Sequence, residues 1–203
     1  MKEAFSVAAG ILAIAASVPY VIDIIKKRSK PNIVSWFTWT LLLAIGTTAA
    51  FAAHQPRTAF LTLGDLIGTG AVLLLGLRLG IAKLSWFDGF CQITAIAGLI
   101  LWQVFNSPEV AIIAVIAVDL LGLAPTLRHS WEAPEEETWQ TFFVLVFAAA
   151  LTLFSLTHYS ITSLSYPIYL LAANAAVAGV VVFRRQQRGL SLSRAGESES
   201  LHG

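Results

Sequence analysis

Charge, cysteine and catalytic signatures are what this sequence lacks. Charged residues make up 12% of its 203 residues, where an ordinary soluble domain has about 25%. A large solvated surface is therefore excluded. The formal net charge is +1, so no bulk field draws a polyanion, and nucleic acid is not an expected partner. The single cysteine, Cys91, rules out an internal disulfide and a cysteine-built zinc site. His54, His129, His158 and His202 are scattered near loops or in the tail, so no metal cluster is expected. Neither GxxxxGK[ST] nor HExxH occurs, which removes P-loop and zincin chemistry. No lysine stands in the last apolar run to hold retinal; Asn174 is its one strongly polar group in mid-run. The expectation is no catalytic residue, no metal, no cofactor, and a chain that is not an enzyme.

What is present is hydrocarbon. Hydrophobic residues are 57% of the chain and mean hydropathy is +0.74. Apolar runs of roughly 20 residues recur, the length a helix needs to cross about 30 Å of bilayer core. The runs predict spans over 4–25, 33–53, 59–79, 86–106, 110–131, 138–158 and 161–183. Polar, turn-rich breaks separate them, among them Lys26 to Asn32, His54 to Arg57, Asn106 to Glu109 and Glu132 to Glu137. A membrane β-barrel would alternate apolar and polar residues in segments of about ten. These runs are continuous, so the fold class is all-α: seven transmembrane helices.

Direction follows from lysine and arginine. Of the 13 such residues, all but Lys2 and Arg57 fall in the first, third and fifth loops and the C-terminal tail. By the positive-inside rule that side is cytoplasmic, which predicts a multi-pass inner-membrane protein with its N-terminus outside. The basic stretch follows the first apolar run rather than preceding it, so that run reads as an uncleaved anchor, not a signal peptide. The Ser- and Glu-rich end, from Ser191 onward, is expected to be disordered.

The sequence also repeats itself. Ser17-Val18-Pro19-Tyr20, a loop with Lys30-Pro31, and Ser35-Trp36-Phe37-Thr38-Trp39 stand in one half. Leu123-Ala124-Pro125-Thr126, a loop with Ala133-Pro134, and Thr138-Trp139-Gln140-Thr141-Phe142 follow in the other, with a short deletion in the loop. Less strongly, Gly64-Asp65 up to Gly70 matches Ala173-Asn174 up to Gly179. Two three-helix units flanking one unmatched span predict parallel repeats about an axis along the membrane normal, because the extra span restores direction. The expected organisation is a first repeat over 1–84, a linker helix over 85–107, a second repeat over 108–185, and a tail over 186–203.

Those residues resemble the PQ-loop/SWEET-like group, to which the PnuC-type carriers are related, over roughly residues 4–183. Pro19-Tyr20, Lys30-Pro31, Ser35-Trp36, Trp39, Asp119 and Pro125-Thr126 resemble more closely a set of small, uncharacterised bacterial membrane proteins. Glutamine follows neither proline, since Tyr20 and Thr126 stand there. The resemblance implies a 3+1+3 layout and leaves the substrate undefined. It further implies that the third helix of each repeat faces substrate, through Asp65 and Asn174.

Polar groups inside spans carry the remaining signal. A buried ionisable residue costs about 2.5–3.5 kcal/mol or more in hydrocarbon, so Asp65 and Asp119 should face the bundle interior. No lysine or arginine lies deep in any span, so taking up a proton is the least costly way to neutralise them. The rival role is a protonated acid that ties one helix to another; the same choice applies to Asn174. Trp36, Trp39 and Trp139 stand near the cytoplasmic ends, where tryptophan gathers in interface belts or can stack on a solute. Pro19, Pro125 and Pro167 are candidate hinges. Asp23 beside Lys26, Lys27 and Arg28 reads as half of an interfacial ion pair, and Asp88 as solvated.

The function expected is a secondary transporter, facilitative or proton-linked, for a small polar solute, by alternating access between the repeats. The alternative is a non-transporting sensor or assembly protein. Partners are the solute and the lipid bilayer; homo-oligomerisation is left open.

Overall fold

The computed structural model describes residues 2–52, 56–102 and 108–192. Among these residues the chain forms seven α-helices: α1 (Lys2–Ile25), α2 (Ile33–Ala52), α3 (Pro56–Leu79), α4 (Trp86–Trp102), α5 (Pro108–Glu132), α6 (Trp139–Ser155) and α7 (Ile161–Gln187). A short 3-10 turn, Pro134–Glu136, precedes α6. The spans expected from hydropathy fall on these helices, with α6 ending sooner and α7 running further. The expected disorder of the tail concerns residues that lie almost wholly outside those described.

Helices α1, α3, α5 and α7 each contain a stretch long and apolar enough to cross a membrane; the described apolar parts of α2, α4 and α6 are shorter. The outer surface has the same character. Ile161 is 86% exposed and Trp86 82%, and Ile11, Ile67, Ile93, Ile113 and Phe154 also face outward. Large aliphatic side chains so fully exposed fit a surface bathed in hydrocarbon rather than water.

Six helices close into a ring in which each packs on two neighbours, in the order α1, α3, α2, α5, α7, α6 and back to α1. Helix α4 lies against α2 and α5. The main core confirms this division: Tyr20 and Ile24 of α1, Trp36 of α2, Val72 of α3, Leu123 of α5, Phe142 of α6 and Val177 of α7 pack together, with nothing from α4. A second, small core holds α4 by Ala95 and Leu99 against Val118 of α5.

Close approach depends on glycine. Gly64 and Gly68, one turn apart on α3, leave no space for a β-carbon between their backbone and Ile14 and Ser17 of α1. This is the spacing at which small residues let helices pack backbone to backbone without a hydrophobic drive. Gly122 of α5 does the same against Thr38 of α2, where a β-carbon would meet the threonine methyl at 2.8 Å.

Candidate functional site

Two polar assemblies lie within the ring, one near its middle and one at the end where the basic loops gather.

The middle assembly centres on Asp119. It stands near the midpoint of α5, is buried, and accepts a hydrogen bond from the Tyr169 hydroxyl of α7 at 2.5 Å. The Trp39 indole of α2 lies near enough to bear on the same carboxyl. Tyr169 stacks on Tyr166 with ring centroids 6.1 Å apart, and both Asp119 and Asp65 of α3 bear electrostatically on Tyr166. Helices α5 and α7 thus build one acidic, aromatic region, on which Trp39 of α2 and Asp65 of α3 bear from a longer range. The spacing explains α7's part: Tyr166, Tyr169 and Ala173 follow the helical period, so one face of α7 carries both rings and then the core.

Below it, toward the basic end, aromatic rings fill the ring of helices. Tyr20 meets Trp36 at 4.8 Å edge to face, Trp36 meets Trp39 at 5.3 Å, and Phe142 of α6 lies 6.4 Å from Tyr20 and from Trp39. Trp36 is buried and Trp39 half-buried, both packed into this aromatic cluster. Trp139 differs: it is half-buried, packs on Phe143, and donates its indole N–H to the Leu192 carbonyl at 3.2 Å.

The other expected residues are dispersed. Asn174 turns back on its own helix, donating to the Leu170 carbonyl at 2.8 Å. Pro19, Pro125 and Pro167 each sit inside an uninterrupted helix, where the missing N–H frees a carbonyl one turn earlier.

The basic-end assembly is the larger, and most of it is hidden in the sequence. Asp23, beside the basic loop, is fully buried and accepts from the Thr138 hydroxyl at 2.9 Å. Ser29 lies 2.6 Å from the same hydroxyl. Asp88 is not solvated either. It caps the start of α4, accepting from the Ser85 hydroxyl at 2.7 Å and from Asn32 Nδ2 at 3.1 Å, which offsets the positive helix terminus. Asp23 is covered by Thr138, remote in the chain, while Asp88 is held by Asn32 of the basic loop and by its neighbour Ser85.

Glu137 and Arg185 complete this assembly. Glu137, fully buried, accepts from the Tyr20 hydroxyl at 2.8 Å. Arg185 of α7, also buried, donates through Nε to the Pro134 carbonyl at 3.0 Å and through Nη2 to the Glu137 carbonyl at 3.1 Å. A guanidinium is suited to this, since its planar fork serves several acceptors at once. The sequence signal was faint: a run of three glutamates reads as solvated, and only Arg185 at the end of an apolar run hinted at a buried cation.

The geometry defines a helical bundle with apolar flanks, an acidic aromatic centre and a polar, charge-bearing end. Comparison with protein-family models, with curated proteins and with solved structures finds no match to this chain.

Proposed function

We propose that this chain is a secondary membrane carrier for a small polar solute, facilitative or proton-linked, working by alternating access between two three-helix halves. The observation that carries this reading is the placement of Asp119: a buried carboxyl near mid-helix, bonded by Tyr169 of α7, with Trp39 of α2, from the other half of the chain, near enough to bear on it. An intramembrane acid at the interface of two repeats is where carriers of this architecture hold solute or proton. The stacked rings of Tyr166 and Tyr169, with Asp65 bearing on Tyr166, favour a solute with positive charge, through cation–π and ionic attraction, and leave Asp119 to the proton.

The 3+1+3 repeat belongs to this proposal. Exchanging α1 with α5, α2 with α6 and α3 with α7 returns the same set of ring neighbours, as a twofold axis through the ring would require. Helix α4, outside the ring, then serves as the linker over 85–107. This regularity supports the resemblance to the PQ-loop/SWEET-like group. Binding roles for Asp65, Asn174, Trp36, Trp39 and Trp139, a proton-binding role for Asp119, and hinge roles for Pro19, Pro125 and Pro167 are part of the same proposal.

A second reading, a non-transporting sensor or assembly protein, is favoured by one fact. The bond between Tyr169 and Asp119 is what a purely structural tie between α7 and α5 would look like. Uptake into proteoliposomes decides between them, measured over a panel of small cationic and neutral polar solutes with and without a pH gradient. Saturable uptake above empty liposomes is expected; none for any solute in the panel would favour the structural reading.

Location and orientation are proposed on the lysine and arginine distribution: a bacterial inner membrane, N-terminus outside, C-terminus cytoplasmic. A reporter fused after Gly203 is expected to be cytoplasmic, and a cysteine placed at His54 to react with an impermeant thiol reagent from outside. An external C-terminal reporter would overturn the orientation.

A further inference from the structure

Glu137 has chemistry that the mid-bundle site does not use. Its carboxyl is fully enclosed at a junction of α1, α5, α6, α7 and the 3-10 turn. One oxygen, Oε2, is satisfied by Tyr20. The other, Oε1, has no hydrogen bond among the described residues, and neither does Nε2 of His129 on α5. These two unsatisfied atoms lie 4.0 Å apart. Buried polar atoms left unpaired cost about 1–3 kcal/mol each, so two facing each other ask for a common cause.

One proton supplies it. We propose that Glu137 is a proton-binding site: the protonated acid donates from Oε1 to Nε2 of His129, and this shared proton latches the basic end of the bundle. A modest side-chain rotation closes the gap to hydrogen-bond length. The neutral imidazole, with its own proton on Nδ1, is the acceptor. Glu137 and His129 are then both uncharged, which suits a junction closed to water better than a buried ion pair.

The charged and titratable neighbours are consistent with an uncharged Glu137. Facing it are Tyr20 from α1, His129 from α5, Glu136 from the turn and Arg185 from α7, while Glu136, Glu132, Glu135 and Asp88 bear on His129. Arg185 is committed to the loop carbonyls and also feels Asp23. Glu136 is held by Lys30 at 2.5 Å and lies 3.5 Å from Nε2 of His129. Burial pushes the Glu137 carboxyl up to about 8; the Tyr20 hydroxyl opposes this, Glu136 adds to it, and Arg185 pulls it back.

The sign follows. The value in the closed junction lies above the ordinary 4.5 of a solvated glutamate, so closing takes up a proton. The latch is strongest below the solvated value. It weakens by up to about tenfold in the closed-to-open ratio per pH unit as pH rises toward the closed-state value, and is level above it.

Infrared difference spectroscopy on the full chain in lipid nanodiscs, stepped from about pH 5 to about pH 10, reads the proton directly. Wild type is expected to show a protonated-carboxyl carbonyl band that vanishes near pH 8 and is missing in Glu137→Gln. Hydrogen exchange of the amides of 133–138, corrected for intrinsic pH dependence, should rise over the same range in wild type and stay flat in the variant. Should Glu137→Gln fail to fold, His129→Phe carries the test by lowering the band's midpoint by about one pH unit or more through loss of the imidazole acceptor. A band unchanged in Glu137→Gln, an unshifted midpoint in His129→Phe, or exchange indifferent to pH in wild type would each overturn the proposal. The measurement needs neither solute nor gradient, so its outcome is separate from that of the transport reading.

Discussion

Replacing Asp119 by asparagine is expected to abolish uptake driven by a pH gradient while leaving solute exchange near the wild-type rate. The amide is close in size to the acid, and its oxygen can still accept from Tyr169, which bonds Asp119 at 2.5 Å. Folding should therefore survive, with stability changed by about 1 kcal/mol or less. What the amide cannot do is bind and release a proton. If that proton couples transport, gradient-driven uptake falls by tenfold or more, whereas exchange, which needs no net proton movement, continues. Both rates are measured side by side in proteoliposomes. Wild-type values for both would remove Asp119 as the coupling group and move the question to Asp65, which bears on the same Tyr166 ring.

The second large effect is structural. Arg185→Met is expected to destabilise the chain by about 3 kcal/mol or more, within the range for removing one member of a buried charged network. Methionine keeps much of the apolar volume. It removes the donors that hold the carbonyls of Pro134 and Glu137 at 3.0 and 3.1 Å, and it removes the cation that bears on Asp23. Arg185→Lys should recover only part of the loss, because an ammonium cannot serve separated carbonyls with a fixed fork. Cys91, buried on α4 and the sole cysteine, provides the readout: a thiol-reactive dye reports its exposure during thermal unfolding in detergent. A fall in the apparent midpoint of roughly 6 °C or more is expected for Arg185→Met. A midpoint within about one degree of wild type would mean that the loop is held by packing alone.

How far the candidate site was legible depends on the distance over which each residue is determined. Asp119 stood out because charge in an apolar run is costly wherever the helix ends up, and it is buried in the bundle. Its partners Tyr166 and Tyr169 flank Pro167 and read as part of a kink toward a cavity, not as partners of an acid, since a tyrosine in such a run is equally at home at an interface. Trp36 and Trp39 were open between belt and interior, and packing against Tyr20 and Phe142 put them inside. Asn174 read as a shared polar group, yet its amide is taken by the Leu170 carbonyl one turn back, a local bond available to any such residue in a helix.

The sequence by itself determined the seven helices, their approximate limits and the apolar character of their flanks, because each of these is a property of about 20 consecutive residues with one solvent preference. Tertiary structure alone decided the fate of the polar residues between helices. Asp23, Asp88 and Glu137 sit in or beside stretches rich in charge, where a local reading gives Asp23 an ion pair at the interface and leaves Asp88 to water. Each is buried by an element remote in the chain: Thr138 covers Asp23, Asn32 reaches Asp88, and Tyr20 covers Glu137 across a separation of 117 residues. No periodicity encodes such a contact. A polar side chain at a helix end can be satisfied by water or by protein, and which it meets is fixed only when the six helices of the ring close around it.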